Sequence, residues 1–210
     1  MRTIGIALFP DVEELDAVGP YEVLAWWTRH FPEHGYEVLT FADTAEAVTC
    51  AKGLRILPHT TAAGLPRLDV LLYPGGQGTR PQLQQPHRLE WVREQAGSGA
   101  LMTSVCTGAL VYAAAGLLRG RPATTHWGSL ELLKELDPSI EVRSEQRWVD
   151  DGDVITSAGV SAGIDMALHL VQRLAGDDAA KQTRRGIQYD PEPPVWRSRS
   201  PPRGSCASAR

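Results

Sequence analysis

Cysteine is scarce in this chain, with three residues among 210, at positions 50, 106 and 206. Their spacing fits no metal-ligand pattern and no disulfide framework, which is typical of proteins in a reducing cytosol. No apolar stretch approaches the length of a membrane span, and the chain opens on a strand pattern instead of a signal peptide. We therefore expect a cytoplasmic protein that has no metal site and no membrane partner.

Basic residues are also fewer than acidic residues. The sequence has 21 Lys and Arg residues against 25 Asp and Glu residues, and the resulting net charge of −4 argues against a nucleic-acid partner. A hydrophobic fraction of 42% in 210 residues suits one sizeable core better than two domains. Towards the end the composition shifts to Pro, Ser, Arg and Gly, so we expect one domain over residues 1–195 and a flexible tail over residues 196–210.

Short apolar runs alternate with helical patterns along the chain. The runs at Thr3–Phe9, Leu68–Tyr73 and Leu101–Val105 are typical of parallel strands that are covered on both faces. Helical patterns separate them, including one within Asp11–Trp27, where Pro20 is expected in the first turn. The alternation predicts an α/β fold with a mostly parallel central sheet.

Cys106 stands between the Leu101–Val105 strand and a helix of small residues predicted over Ala109–Leu118. A strand that turns into a helix within two residues forms a strained corner, the nucleophile elbow, and Gly108 relieves the crowding behind it. A helix that begins at Thr107 would direct its free N–H groups at the sulfur and favour the thiolate. The other interpretation is that Cys106 is buried as a small hydrophobe.

Two further groups follow the ends of other predicted strands. Asp16 lies between apolar neighbours and is expected to face inward, whereas Glu13 and Glu14 are interpreted as charges that complement a helix dipole. After the Leu-rich strand, Gly75 and Gly76 offer backbone N–H groups for an oxyanion hole. Because ligands bind at the carboxyl ends of parallel strands, we expect these groups to meet the elbow cysteine at one sheet edge.

Two corners later in the chain are candidates for binding a substrate. One contains His126 and Trp127, and the other contains Gly159, in a run of small residues suited to close approach. We expect His126 to be a pocket histidine, hydrogen-bonded to Asp165, in preference to a catalytic base. Three tryptophans would line an apolar pocket, with burial at a dimer interface favoured for the first two: Trp26, Trp27 and Trp127.

The motifs in these segments resemble those of a known family. The acidic corner at residues 13–16, the Pro74–Gly76 loop and the elbow cysteine are similar to the ThiJ/PfpI superfamily, whose fold is the class I glutamine amidotransferase-like (flavodoxin-like) three-layer α/β/α sandwich. Four motifs look like those of the isonitrile hydratases: Ser104–Gly108, Ala123–Trp127, Ala162–Asp165 and Gln188–Pro194. The resemblance implies a homodimer without a cofactor that hydrates an isonitrile, R–NC, to an N-substituted formamide.

Three residues would be catalytic in that reaction. The Cys106 thiolate would attack the isonitrile carbon, Asp16 would act as general acid and then as general base, and Thr107 would position water. Other members of the superfamily place a histidine beside the cysteine, so Thr107 argues against a hydrolytic Cys–His triad. Two alternatives stay open: glyoxalase or deglycase chemistry on 2-oxoaldehydes, and a sensor in which Cys106 binds a metabolite or is oxidised.

Overall fold

The computed structural model describes residues 1–191, so the predicted tail at positions 196–210 lies outside the described residues. Within this part the chain alternates strands and helices as expected for an α/β fold. The strands are β1 (Arg2–Ala7), β2 (Tyr36–Ala42), β3 (Val48–Thr49), β4 (Arg55–Ile56), β5 (Thr60–Thr61), β6 (Val70–Tyr73), β7 (Leu101–Val105), β8 (Pro122–Ala123), β9 (Glu141–Val142), β10 (Trp148–Asp150) and β11 (Val154–Ser157).

Seven of these strands form one central sheet in the spatial order β10, β11, β7, β6, β1, β2, β5. Neighbouring strands are parallel throughout the sheet except for the edge pair β10 and β11. The prediction of a mostly parallel sheet is confirmed. Two short pairs, β3 with β4 and β8 with β9, lie outside it.

Helices cover the central sheet and complete a three-layer α/β/α sandwich. They are α1 (Glu14–His30), α2 (Thr79–Gln82), α3 (Pro86–Gly97), α4 (Gly108–Ala114), α5 (Leu130–Leu136), α6 (Ala162–Ala175) and α7 (Asp177–Gly186). Helix α1 packs with α6 and α7, whereas α4 packs with α2, α3 and α5. Along residues 1–191, no helix combines the length and the apolar character needed to cross a bilayer.

The three strands at the centre of the sheet are buried on both faces. Burial continues through adjacent residues in each of them, over Thr3–Ala7 of β1, Val70–Tyr73 of β6 and Met102–Val105 of β7. Because successive strand residues point to opposite faces, the burial of adjacent residues requires a helical layer on each side. Because β1, β6 and β7 also pair in parallel, their carboxyl ends lie side by side at one edge of the sheet, as the sequence predicted.

Two helix details differ from the sequence prediction. Pro20 lies inside α1, at its seventh residue, and not in the first turn. Proline has no N–H, so the helix loses the bond that would reach back to the carbonyl of Asp16. Helix α4 ends at Ala114, four residues early, because Gly116 adopts a φ of +82° and its N–H bonds the Ala113 carbonyl at 2.9 Å.

The packing of Trp27 generates a stability prediction. Trp27 is fully buried, and its indole N–H donates to Nδ1 of His34 at 2.8 Å. We expect Trp27→Ala to lower the free energy of unfolding by about 3–5 kcal/mol in urea denaturation. The matched control is Trp127→Ala, since the Trp127 side chain is 80% exposed and its loss should change stability by less than about 0.5 kcal/mol. Equal losses for the two variants would contradict this assignment of the core.

Candidate active site

Cys106 occupies the sharp corner between β7 and α4. Its φ of +56° lies in the left-handed region, which non-glycine residues seldom adopt. The backbone is held there from both sides, since its N–H donates to the Ser157 carbonyl at 3.1 Å and its carbonyl accepts from the Thr125 hydroxyl at 2.7 Å. The strained elbow predicted from the sequence is thus present, with the strain sustained by fixed hydrogen bonds.

Gly108 makes this corner sterically possible. A Cβ atom at Gly108 would stand 2.1 Å from the carbonyl oxygen of Tyr73, at the end of the neighbouring strand. No side chain fits into that gap. The helix therefore starts directly behind the cysteine, as the sequence predicted.

Asp16 lies in the first turn of α1 and is fully buried, so the inward orientation expected for it is correct. The backbone N–H of Gly75 donates to Oδ2 at 2.9 Å, while Oδ1 lacks a hydrogen bond of good geometry among residues 1–191. A Cβ atom at Gly75 would lie 2.8 Å from that Oδ2 and 2.5 Å from the Thr107 nitrogen. Only glycine lets the loop pass between the carboxyl and the elbow.

The buried pair of Asp16 and Cys106 has strongly shifted pKa values. Burial raises the pKa of Asp16 to about 7, and the charge of Glu13 adds to the rise against hydrogen bonding from Gly75 and Cys106. Burial and the neighbouring Asp16 carboxylate raise the pKa of the Cys106 thiol to about 12. The two groups compete for one negative charge, and near neutral pH that charge belongs to Asp16.

The predicted thiolate at the start of α4 is therefore wrong for the isolated site. Hydrogen bonding to the backbone of Thr107 does lower the pKa of the thiol, but burial and the Asp16 charge outweigh it. Helix α4 is also only seven residues long and begins at Gly108, which limits its dipole. The sulfur needs a base before it can act as a nucleophile.

The glycine loop and Thr107 are joined by two mutual hydrogen bonds. The N–H of Gly76 donates to Oγ1 of Thr107 at 2.9 Å, and the Thr107 hydroxyl donates back to the Gly76 carbonyl at 3.1 Å. The Thr79 hydroxyl lies 3.1 Å from the same Oγ1. These bonds occupy the groups that we expected to serve as an oxyanion hole and as a water ligand. In this structure the loop instead fixes the elbow in place.

A cavity of about 280 Å³ opens beside Cys106 and Thr107. Its lining combines apolar surface with several polar side chains, namely Glu13, Gln77, Arg80, His126 and Ser129. None of the three candidate tryptophans is part of the lining. Trp127 is 80% exposed and Trp27 lies in the core, while the Trp26 ring packs against Gly186 and His30.

His126 lines the cavity, but it does not hydrogen-bond to the Cys106 sulfur in the described part of the chain. Its Nδ1 accepts the N–H of Gly128 at 3.2 Å, and its ring packs against Gly159, where a Cβ atom would stand 2.3 Å from Cδ2. The expected bond to Asp165 is wrong. That carboxylate instead accepts from Nε of Arg147 at 2.8 Å and from the Tyr189 hydroxyl at 2.9 Å.

Comparison with known proteins identifies the family of this chain. The model of the DJ-1/PfpI family matches residues 2–173 of the chain. The chain belongs to the DJ-1/PfpI family. A solved ThiJ/PfpI family protein from Pseudomonas syringae superposes with a TM-score of 0.82 at 33% identity, over 92% of this chain and 77% of that one.

Two curated relatives show the range of proteins that share this DJ-1/PfpI domain. The isonitrile hydratase of Pseudomonas putida is 44% identical over 191 residues, which cover 91% of this chain and 80% of the hydratase. The transcriptional regulator GbdR of Pseudomonas aeruginosa is 28% identical over 90% of this chain, but the match spans only 51% of the regulator. The domain thus occurs both as most of an enzyme and as half of a regulator.

Sequence reasoning missed three contributors to the site of this DJ-1/PfpI protein. Val160 has a φ of +52°, and its backbone interacts with both Asp16 and Cys106, but nothing marks a β-branched residue for that conformation in advance. Glu13 lines the cavity and acts on the Asp16 carboxyl, so the dipole interpretation was incomplete. Arg80 lies two residues after Gly78, the last glycine of the loop, and this position was the signal from which its place at the site could have been predicted.

The raised pKa of Asp16 generates a prediction about stability. A carboxyl that titrates at about 7 in the folded state and near its ordinary value of 3.8 in the unfolded state costs stability as pH rises between these values. We expect Asp16→Asn to gain about 2–4 kcal/mol of unfolding free energy relative to wild type between pH 4 and pH 8.

Urea denaturation of both proteins across this pH range makes the measurement. The exposed Glu22→Gln variant is the matched control, because it removes a carboxylate outside the buried pair. A difference between Asp16→Asn and wild type that stays constant with pH would show that the carboxyl is not destabilised by burial.

Proposed function

We propose that this protein is an isonitrile hydratase, which adds water to R–NC and releases an N-substituted formamide. The observation that carries the proposal is the buried Asp16–Cys106 pair, in which a carboxyl with a pKa of about 7 lies beside a thiol with a pKa of about 12. The 44% identity to the Pseudomonas putida hydratase supports the choice of substrate. The proposed reaction uses no cofactor.

The first step joins the sulfur to the isonitrile carbon. The Asp16 carboxylate removes the proton from the Cys106 thiol as the sulfur attacks, and it then delivers that proton to the same carbon. The product is a thioimidate, R–N=CH–S–Cys106, with the carboxylate restored. One carboxyl thus serves as base and as acid, which requires a pKa near the working pH.

The second step uses water. The Asp16 carboxylate takes one proton of the water as its oxygen attacks the thioimidate carbon, and it passes this proton to the nitrogen. The remaining hydroxyl proton then moves through Asp16 to the sulfur as the carbon–sulfur bond breaks. The formamide R–NH–CHO leaves, and the thiol and carboxylate are regenerated.

The surrounding backbone would keep the pair in reacting geometry. The N–H of Gly75 fixes one carboxyl oxygen, while Thr107 and Gly76 fix the elbow through their mutual hydrogen bonds. Thr107 would therefore act as a positioning residue, and His126 would contribute to binding from the cavity wall. Substrate would meet side chains that need little rearrangement.

We further propose that the protein is a cytoplasmic homodimer. Four large apolar side chains are exposed on α1 and around β4, namely Leu15, Val18, Leu54 and Leu57. Val18 and Leu57 line one apolar depression together with Tyr21 and Ile56, and a second copy would cover it. The free thiols of Cys50 and Cys106 suit a reducing compartment.

The two other candidate functions fit the site less well. A thiol sensor of oxidants needs an accessible thiolate, whereas Cys106 is 5% exposed and burial raises its pKa to about 12. Glyoxalase chemistry, as implied by the family resemblance, employs a histidine next to the thiol. In residues 1–191, the nearest candidate, His126, makes no hydrogen bond to the sulfur.

Formation of formamide from cyclohexyl isocyanide by the purified protein tests the proposal. We expect Cys106→Ala to abolish turnover and Asp16→Asn to lower kcat by about 100- to 10,000-fold, since the amide cannot relay a proton. Cys50→Ala is the matched control, because Cys50 is the other free cysteine among the described residues. Turnover that survives in Cys106→Ala would refute the covalent mechanism.

The pH dependence of turnover tests the role of the pair separately. The reacting state holds one proton on two groups, and it forms as Asp16 loses its proton at about 7. We therefore expect kcat/KM to rise as pH increases through about 7 and then to level off. A fall over the same range would mean that the fully protonated pair reacts, and the order of proton transfers given above would be wrong.

A further inference from the structure

Arg80 is a charged side chain of the cavity wall that the proposed mechanism leaves without a role. It belongs to α2, immediately after the glycine loop. One terminal nitrogen donates to the Thr79 hydroxyl at 3.1 Å, and the other donates to the Ser129 hydroxyl at 3.1 Å. The guanidinium therefore connects the start of α2 to the turn that precedes α5, at the border of the cavity.

The hydroxyl partners of Arg80 leave its charge uncompensated. Within residues 1–191, no carboxylate lies in salt-bridge distance of its guanidinium. The other charged group of the cavity, Glu13, differs in this respect because both of its oxygens accept from Nζ of Lys52. A cation that is partly shielded from water and bonded only to neutral groups can still form charge-assisted hydrogen bonds with an anionic ligand.

The Arg80 guanidinium also has N–H donors that these two hydroxyls do not use. A guanidinium carries five N–H donors in a fixed plane, and the two hydroxyls accept from only two of them. Such a fork matches the geometry of a carboxylate, which can accept two parallel hydrogen bonds. The Ser129 hydroxyl and the amide of Gln77 add polar groups to the same wall.

We propose that the substrate carries a carboxylate and that Arg80 binds it. This inference rests on the proposed function and narrows its substrate class to isonitriles of carboxylic acids. The cavity of about 280 Å³ is small, so the carboxylate and the isonitrile must be separated by few atoms.

The position of Arg80 is coupled to the reacting sulfur. Arg80 bonds Thr79, and the Thr79 hydroxyl lies 3.1 Å from Oγ1 of Thr107, the residue that follows Cys106. A carboxylate held by Arg80 would thus place the other end of a short substrate at a defined distance from the sulfur. Arg80 is in this sense a specificity-determining residue, and no bond to the reacting carbon is assigned to it.

Isocyanoacetate and its methyl ester form a matched pair of probes that differ by one charge. We expect wild type to hydrate isocyanoacetate with a kcat/KM about 10- to 100-fold above that of the ester, the range of a charge-assisted hydrogen bond. Arg80→Gln should abolish this preference, and Arg80→Lys should retain only part of it because the ammonium lacks the fork. Formamide products are quantified by liquid chromatography.

The control variant is Arg119→Gln, which removes one positive charge from a side chain that is 81% exposed and pairs with Asp137. It should keep the preference of wild type for the acid. A preference for the ester would overturn the substrate class, and an acid preference that survives in Arg80→Gln would overturn the role of Arg80; in both cases formamide production leaves the hydratase function intact.

Absence of turnover on both probes and on cyclohexyl isocyanide would refute the hydratase function, and a binding measurement then decides the role of Arg80. Thermal unfolding is followed with N-formylglycine and with its methyl ester. Stabilisation by the acid alone, lost in Arg80→Gln, would support a carboxylate site. Equal shifts for acid and ester, or no shift with either, would overturn it.

Discussion

The burial of a carboxyl beside a thiol is the constraint on which the rest of this site depends. Among residues 1–191, neither Asp16 nor Cys106 is stabilised in its charged form by a basic partner, burial disfavours ionisation of both, and the Asp16 carboxylate further disfavours ionisation of the thiol. The fold sustains this arrangement because a large core surrounds it and because Gly75, without a side chain, passes between the Asp16 carboxyl and the Thr107 backbone. The stability lost to one destabilised acid is small against the burial of three central strands.

Much of this arrangement was accessible from the sequence because it follows from chain direction. Apolar runs fixed the parallel strands, parallel strands end at one edge, and Asp16, Gly75 and Cys106 each follow such an end. The elbow was predictable for the same reason, since the strand and the helix of small residues are separated by only Cys106 and Thr107 and require Gly108 behind the corner.

What the sequence could not supply are quantities that depend on three-dimensional neighbours. The thiol was expected to ionise readily because a helix follows it, but desolvation and the Asp16 charge reverse that effect. The apolar character of Trp27 predicts a pocket or, preferably, a dimer interface, but the residue belongs to the core. The sequence also could not show which charged groups of the cavity are paired, because that depends on the placement of Lys52 beside Glu13 and of Thr79 and Ser129 beside Arg80.

The walls of the cavity come from widely separated parts of the chain, from Glu13 through Arg80 and Cys106 to Val160. Each of these residues is delivered by a different strand end, and the strands pair in an order unlike their order in the chain. No short segment of the protein therefore contains the site, which needs β1, β6, β7 and β11 in their places in the sheet. The number of competent sites in a preparation is in consequence a count of the molecules in which these four strands have assembled.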